Sequence, residues 1–212
     1  EDRGRLRFVL EQPDGTPGRA VLGLGGAFAA LPEAGLFRVA GSAGRLDLDG
    51  WMDVVEAEME AGTRGGSLAL EPSRFGAAEL LFLDRMFPVV DLELAVDDKD
   101  VAIEFASELI DGSLRYTDAE GSTGSVYGDF ERLVLGDALS TGLRMEMDPK
   151  ELPSLHLYAR SFGYFGIELG ETRIEAYPTA TGLHFEKVDA KSDELSLQAS
   201  GELLPGYARS HV

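Results

Sequence analysis

Apolar and polar positions alternate with period two along most of the second half of the chain. Leu92, Leu94 and Val96 alternate with Glu93, Ala95 and Asp97, and Val101, Ile103 and Phe105 with Ala102, Glu104 and Ala106. After Asp111-Gly112, a turn signal, Leu114 and Tyr116 flank Arg115. Leu155, Leu157 and Ala159 alternate with His156 and Tyr158; Ile167 and Leu169 flank Glu168; Ile174 sits between Arg173 and Glu175. Leu183 and Phe185 flank His184, and Leu195, Leu197 and Ala199 alternate with Ser196 and Gln198. Such alternation is the mark of a half-buried strand with one apolar and one wet face. Strands separated by Gly, Asp and Pro punctuation predict consecutive antiparallel hairpins.

The first half is less regular. Leu6, Phe8 and Leu10 alternate with Arg5, Arg7 and Glu11, and residues 20–25, 36–47 and 67–71 also read as strands. Residues 75–83 fit a helix or a buried strand equally well. One helix is predicted, over residues 50–61. Asp49 is its expected cap, Trp51, Val55 and Met59 form one stripe, and Gly62 follows. Residues 136–150 read as a loop or a poorly formed helical turn. One helix cannot cover the apolar faces of so many strands. The sheet must therefore fold into a sandwich, close into a barrel, or keep an apolar trough.

Composition narrows the function classes. With 212 residues and 44% hydrophobic, the chain can bury a core, and its 26 Gly favour many turns. Its 19 Lys+Arg against 38 Asp+Glu give a formal charge of −19, which argues against a nucleic-acid partner or a polybasic membrane patch. The acidic residues fall largely on turns and wet faces, such as Glu93, Asp97, Glu104, Glu168, Glu175, Glu186 and Glu194. The longest apolar stretches, 20–31 and 80–90, are too short and interrupted to span a bilayer. The opening Glu1-Asp2-Arg3 does not read as a signal peptide. Without Cys there are no disulfides and no Cys-based zinc sites.

No constellation of catalytic residues emerges. Asp47, Asp49, Gly50 and Glu56 match four positions of a calcium-binding loop, but Arg45 stands where the first carboxylate belongs. His156, His184 and His211 form no metal-ligand pair. Gly41-Ser42-Ala43-Gly44 lacks the spacing of a nucleophile elbow, and Gly23-Leu24-Gly25-Gly26 has Phe28 at the third glycine position of a dinucleotide loop. The expectation is a non-enzymatic protein with no catalytic residue, no metal and no cofactor.

Several segments in order carry a resemblance. They are GSAGRLDLDGW (41–51), Phe87 to Leu92, Ile110 to Tyr116 and Gly128 to Leu135, then Asp148-Pro149 and Leu152-Pro153-Ser154-Leu155. Leu169-Gly170 to Ala176, Thr181 to Phe185 and SDELSLQASGE (192–202) follow. This order resembles the C-terminal portion of YhdP-like proteins in the AsmA-like family of bacterial bridge-like lipid transfer proteins. Leu203 stands where the family pattern has Trp.

The resemblance implies an all-β fold with one or two short helices: a long antiparallel meander forming a twisted, curved sheet with an open apolar groove. It implies a periplasmic location in the Gram-negative cell envelope, in outer-membrane biogenesis. The parent protein would be anchored in the inner membrane by a segment outside this chain. The expected organisation is a single groove segment over 1–212, a piece of a longer protein. Strands and the helix 50–61 would occupy 1–62, and a continuous antiparallel meander 63–212. The implied role is to carry phospholipid, or another acyl-chain lipid, between inner and outer membranes, with membrane contact only through other parts of the protein. Edge strands of such a segment can self-associate.

Alternation assigns the lipid-facing positions to Leu92, Leu94, Val101, Ile103, Phe105, Leu114, Leu155, Leu157, Ile167, Leu183, Phe185, Leu195 and Leu197. The alternative is a closed β-sandwich that serves as a binding or scaffold module of the envelope. Phe105→Glu would unfold a sandwich but spare a groove.

Overall fold

The computed structural model describes residues 4–9, 16–48, 50, 68–82, 85–97, 100–118, 123–136 and 148–204. They are almost entirely β, and the chain divides into two compact units. One comprises Glu1–Asp97 with Ile103–Ser107, the other Asp98–Ala102 with Glu108–Val212.

The first unit contains β1 (Arg5–Val9), β2 (Arg19–Leu24), β3 (Leu36–Asp47), β4 (Ala69–Leu70), β5 (Ser73–Phe82) and β6 (Arg85–Asp97). β1 pairs antiparallel with β2, and β5 with β6. β3 is parallel to β2, β4 and β5. β7 (Asp100–Ala106) gives this unit Ile103 and Phe105; the buried Phe105 ring stacks on Phe82 at 5.3 Å between centroids. The second unit contains β8 (Ile110–Thr117), β9 (Ser125–Leu135), β10 (Ser154–Tyr164), β11 (Ile167–Pro178), β12 (Leu183–Lys191) and β13 (Ser196–Leu203). Each pairs with the next, antiparallel except for the parallel β9–β10 pair. Among the described residues β1 bonds only β2 and β13 only β12, so each stands at an edge of its unit's described strands.

The all-β expectation is therefore met, but the meander is not antiparallel throughout. Parallel neighbours need long connections, and residues 48–72, 136–153 and 25–35 supply them. The ambiguous residues 75–83 fall in β5, a strand as far as Phe82. Asp49, the expected helix cap, lies outside the described residues. Leu48 and Gly50 are helical, and the Gly50 N–H donates to Asp47 Oδ1 at 2.9 Å. That carboxylate thus serves a helix start. The rest of helix 50–61, with Trp51, Val55, Met59 and Glu56, lies outside the described residues, as do most of 136–150.

Both units break the period-two rule at matched places. In the first, the buried residues Ala43, Ala77 and Val90 each lie three positions from the next buried residue in the rows, Leu46, Leu80 and Phe87. Ala77 faces Val90, and Leu80 faces Phe87. Two successive residues per strand separate them, so the buried set changes parity on all three strands together. Val89, inside this slip, is 77% exposed with φ 47°, a conformation that a β-branched residue rarely adopts. In the second unit the same slip separates Phe130 from Leu133 and Ala159 from Phe162, which face each other across the parallel pair.

β11 absorbs the second slip as a bulge at Gly170, whose φ of 71° admits a residue without Cβ. The two-residue turn Phe165-Gly166, with φ 50° and 75°, joins β10 to β11. Two positive φ values match the right-handed twist of the flanking strands.

Candidate functional site

The register of the second unit places apolar residues in rows that cross six strands. One row reads Tyr116, Val126, Leu155, Ala176, Phe185 and Gly201 from β8 to β13. The next reads Leu114, Gly128, Leu157, Ile174, Val188 and Ala199. A third reads Gly112, Phe130, Ala159, Thr172, Ala190 and Leu197. Directly paired residues share a face, so these rows form one surface. None of its members is charged. The Thr172 hydroxyl, buried, is satisfied by the Gly170 carbonyl at 3.2 Å.

Burial grades along this face. The third row is buried from Phe130 to Ala190. The first two rows are mostly half-buried, at Leu114, Val126, Leu155, Leu157, Ile174, Phe185 and Val188. On β13 the face is exposed at Leu197, Ala199 and Gly201. A continuous, partly wet apolar surface of this kind marks a binding site more often than an ordinary exterior.

The opposite face is ionic. Glu171 lies opposite Lys191, Arg173 opposite Asp189, and Glu175 opposite Lys187. Opposite charges directly across a pair favour that register, and a one-residue slip would send every apolar residue to the wet side. Lys187 also pairs with Asp189 at 3.0 Å. Tyr127 stacks on His156 at 4.9 Å, and the Arg173 guanidinium lies 5.3 Å from the Tyr158 ring.

At one end of this face Glu202 accepts hydrogen bonds from the hydroxyls of Thr181 and, at 3.0 Å, Thr179. The Thr181 bond and then the Thr179 bond hold its carboxyl below the usual carboxylate range. The Tyr177 hydroxyl donates to Glu186 Oε2 at 3.3 Å. Packing away from solvent and then the Glu186 charge raise its pKa above that of an ordinary tyrosine. Among the described residues no group of three or more His, Asp or Glu has metal-binding geometry.

The residues expected from alternation separate into three environments. Leu92, Ile103, Phe105 and Leu183 are buried. Leu94, Val101, Leu114, Leu155, Leu157 and Phe185 are half-buried. Ile167, Leu195 and Leu197 are exposed. Leu114, Leu155, Leu157, Phe185 and Leu197 come together in the rows of the second unit, and Leu183, opposite Leu203, extends the face beside them. Ile167 lies at the β10–β11 hairpin end, and Leu195 lies in the turn before β13, where its N–H donates to Ser192 Oγ. Leu92 and Leu94 belong to the first unit, opposite Phe75 and Ser73. Val126, Phe130, Ile174 and Val188 also belong to the face, beyond the positions that alternation assigns. Phe130 escapes because Glu131-Arg132 interrupts the alternation, and Val188 because the bulge after Phe185 shifts its parity.

Compared with known proteins, the chain matches no family model, no curated protein and no solved structure.

Proposed function

We propose that this chain is a non-enzymatic lipid-binding segment that receives acyl chains on the apolar face of β8–β13. The observation that supports this most is the uncharged rows running through Leu114–Val188 and Tyr116–Phe185, half-buried instead of sealed. Covering that surface with an acyl chain removes apolar area from water, at about 0.8 kcal/mol for each buried CH₂. A phospholipid headgroup can stay in water beyond the last row, which avoids the cost of burying its charge. Several shallow rows offer successive equivalent seats, so a chain can slide across strands without leaving an apolar environment. No proton transfer or nucleophile is needed.

The ordered motifs that resemble YhdP-like members of the AsmA-like family point the same way. On this reading the chain belongs to a periplasmic bridge between inner and outer membranes, with phospholipid as cargo. A photoreactive phospholipid offered in vesicles provides the test. Crosslinks are expected at Leu155, Leu157, Ile174 and Val188. Crosslinks spread over wet-face positions such as Tyr127 and Gln198, or none, would overturn the reading.

A further inference from the structure

The last described strand of the second unit, β13, presents an edge with little protection. Among the described residues β13 bonds only β12, and every residue from Ser196 to Glu202 is exposed. Half of its backbone N–H and C=O groups therefore face outward, a template for another strand. Edges are normally blunted by Lys, Arg, Pro or bulges. Ser196–Leu203 contains no Pro, Lys or Arg, whereas β1, the edge of the first unit, carries Arg5 and Arg7.

We propose that β13 pairs antiparallel with β13 of a second copy, about a two-fold axis at Ala199. In that register Leu197 lies opposite Gly201 and Ala199 opposite its own equivalent. Ser196 lies opposite Glu202, and Gln198 opposite Ser200. The pairing is self-complementary in size. Leu197 is 39% exposed, and a Cβ built on Gly201 meets nothing within 4 Å, so the leucine finds open space across the axis. It is also complementary in charge: the only ionised group in the strand, Glu202, faces a hydroxyl donor, and no like charges are directly opposed. Because paired residues share a face, the apolar rows of both copies continue across the axis on the same side. The dimer is closed, as isologous contacts are. The pairing itself does not depend on what that face binds.

Two chains of formal charge −19 repel each other as wholes. Salt screens this repulsion, while the interface holds no ion pair to weaken. The dimer therefore tightens as salt rises, the opposite of association driven by salt bridges.

Sedimentation of the full chain, over a wide concentration range at low and high NaCl, tests the proposal. Wild type is expected to reach a dimer, with tighter affinity at high salt. Ala199→Lys sets two cations against each other on the axis and is expected to raise Kd on the order of tenfold. Leu197→Lys weakens the dimer, and the double variant L197K/G201E restores it by placing opposite charges across the axis. These positions are exposed, so circular dichroism should show unchanged folding. A monomer at every concentration, a dimer indifferent to A199K, or assembly beyond two copies through β1 would each overturn it.

Discussion

Arg160 Nε lies 3.4 Å from Glu131 Oε2, joining β9 to β10 at the place where both strands skip one step of their alternation. Phe130 and Leu133 on one strand, and Ala159 and Phe162 on the other, keep the same buried face across the slip. The ion pair marks the slip but does not hold it. Its side chains are 66% and 62% exposed, and exposed pairs contribute about 0–1 kcal/mol. The buried rings are what fix the geometry.

Arg160→Ala is accordingly expected to change unfolding free energy by less than about 1 kcal/mol. Phe130→Ala, at a site 1% exposed, is expected to cost about 3–5 kcal/mol. Urea denaturation of the two variants would read both. Equal losses would contradict this division of labour.

Ser73 is buried in the first unit, where its hydroxyl accepts from the Val39 N–H at 3.0 Å and donates to the Glu71 carbonyl at 2.8 Å. Ser73→Ala leaves a buried N–H unsatisfied and is expected to cost about 1–3 kcal/mol. Amide exchange at Val39 should accelerate more than at Val21, which provides an internal control.

Val89 holds a left-handed backbone while its side chain is mostly in solvent. Val89→Asn keeps that conformation at lower strain and loses little burial. It is expected to stabilise the chain by on the order of 1 kcal/mol. A lower melting temperature in V89N would contradict the assignment.

Glu202 titrates below an ordinary glutamate because the Thr181 and Thr179 hydroxyls favour its charged form. A carboxyl lowered in the folded state stabilises above its unfolded pKa, and that support is lost as pH falls through the folded pKa. Acidification below the ordinary carboxylate range should therefore loosen the Thr179–Gly182 turn and the β12–β13 hairpin first. Hydrogen exchange along β13 against pH would show it, and Glu202→Gln should abolish that acid-dependent step.

Much of this architecture is legible in the alternation alone. Residues 36–47 read as a strand and are β3, and Leu155, Leu157, Leu183 and Phe185 fall on the apolar face as the pattern implies. The slips at Glu131-Arg132 and Pro88-Val89 are not legible, because a parity change looks like the end of a strand. Nor is the parallel β9–β10 pair, since a strand alternates identically in either direction and only its connection decides. The part that Asp47 plays at the helix start is not legible either, because it rests on the backbone geometry that brings the Gly50 N–H to its carboxylate. Phe105 shows a different limit. Alternation places it on the apolar side, but its stacking on Phe82 makes Phe105→Glu a test of folding and not of ligand binding.

The central claim is that the half-buried rows of β8–β13 hold acyl chains. Native mass spectrometry of wild type and Leu157→Glu, each purified from a bacterial host and shown folded, tests it most directly. Wild type is expected to carry phospholipid-sized adducts, and L157E to lose them while remaining folded. Wild-type protein free of lipid, or L157E that retains its adducts undiminished, would contradict the claim.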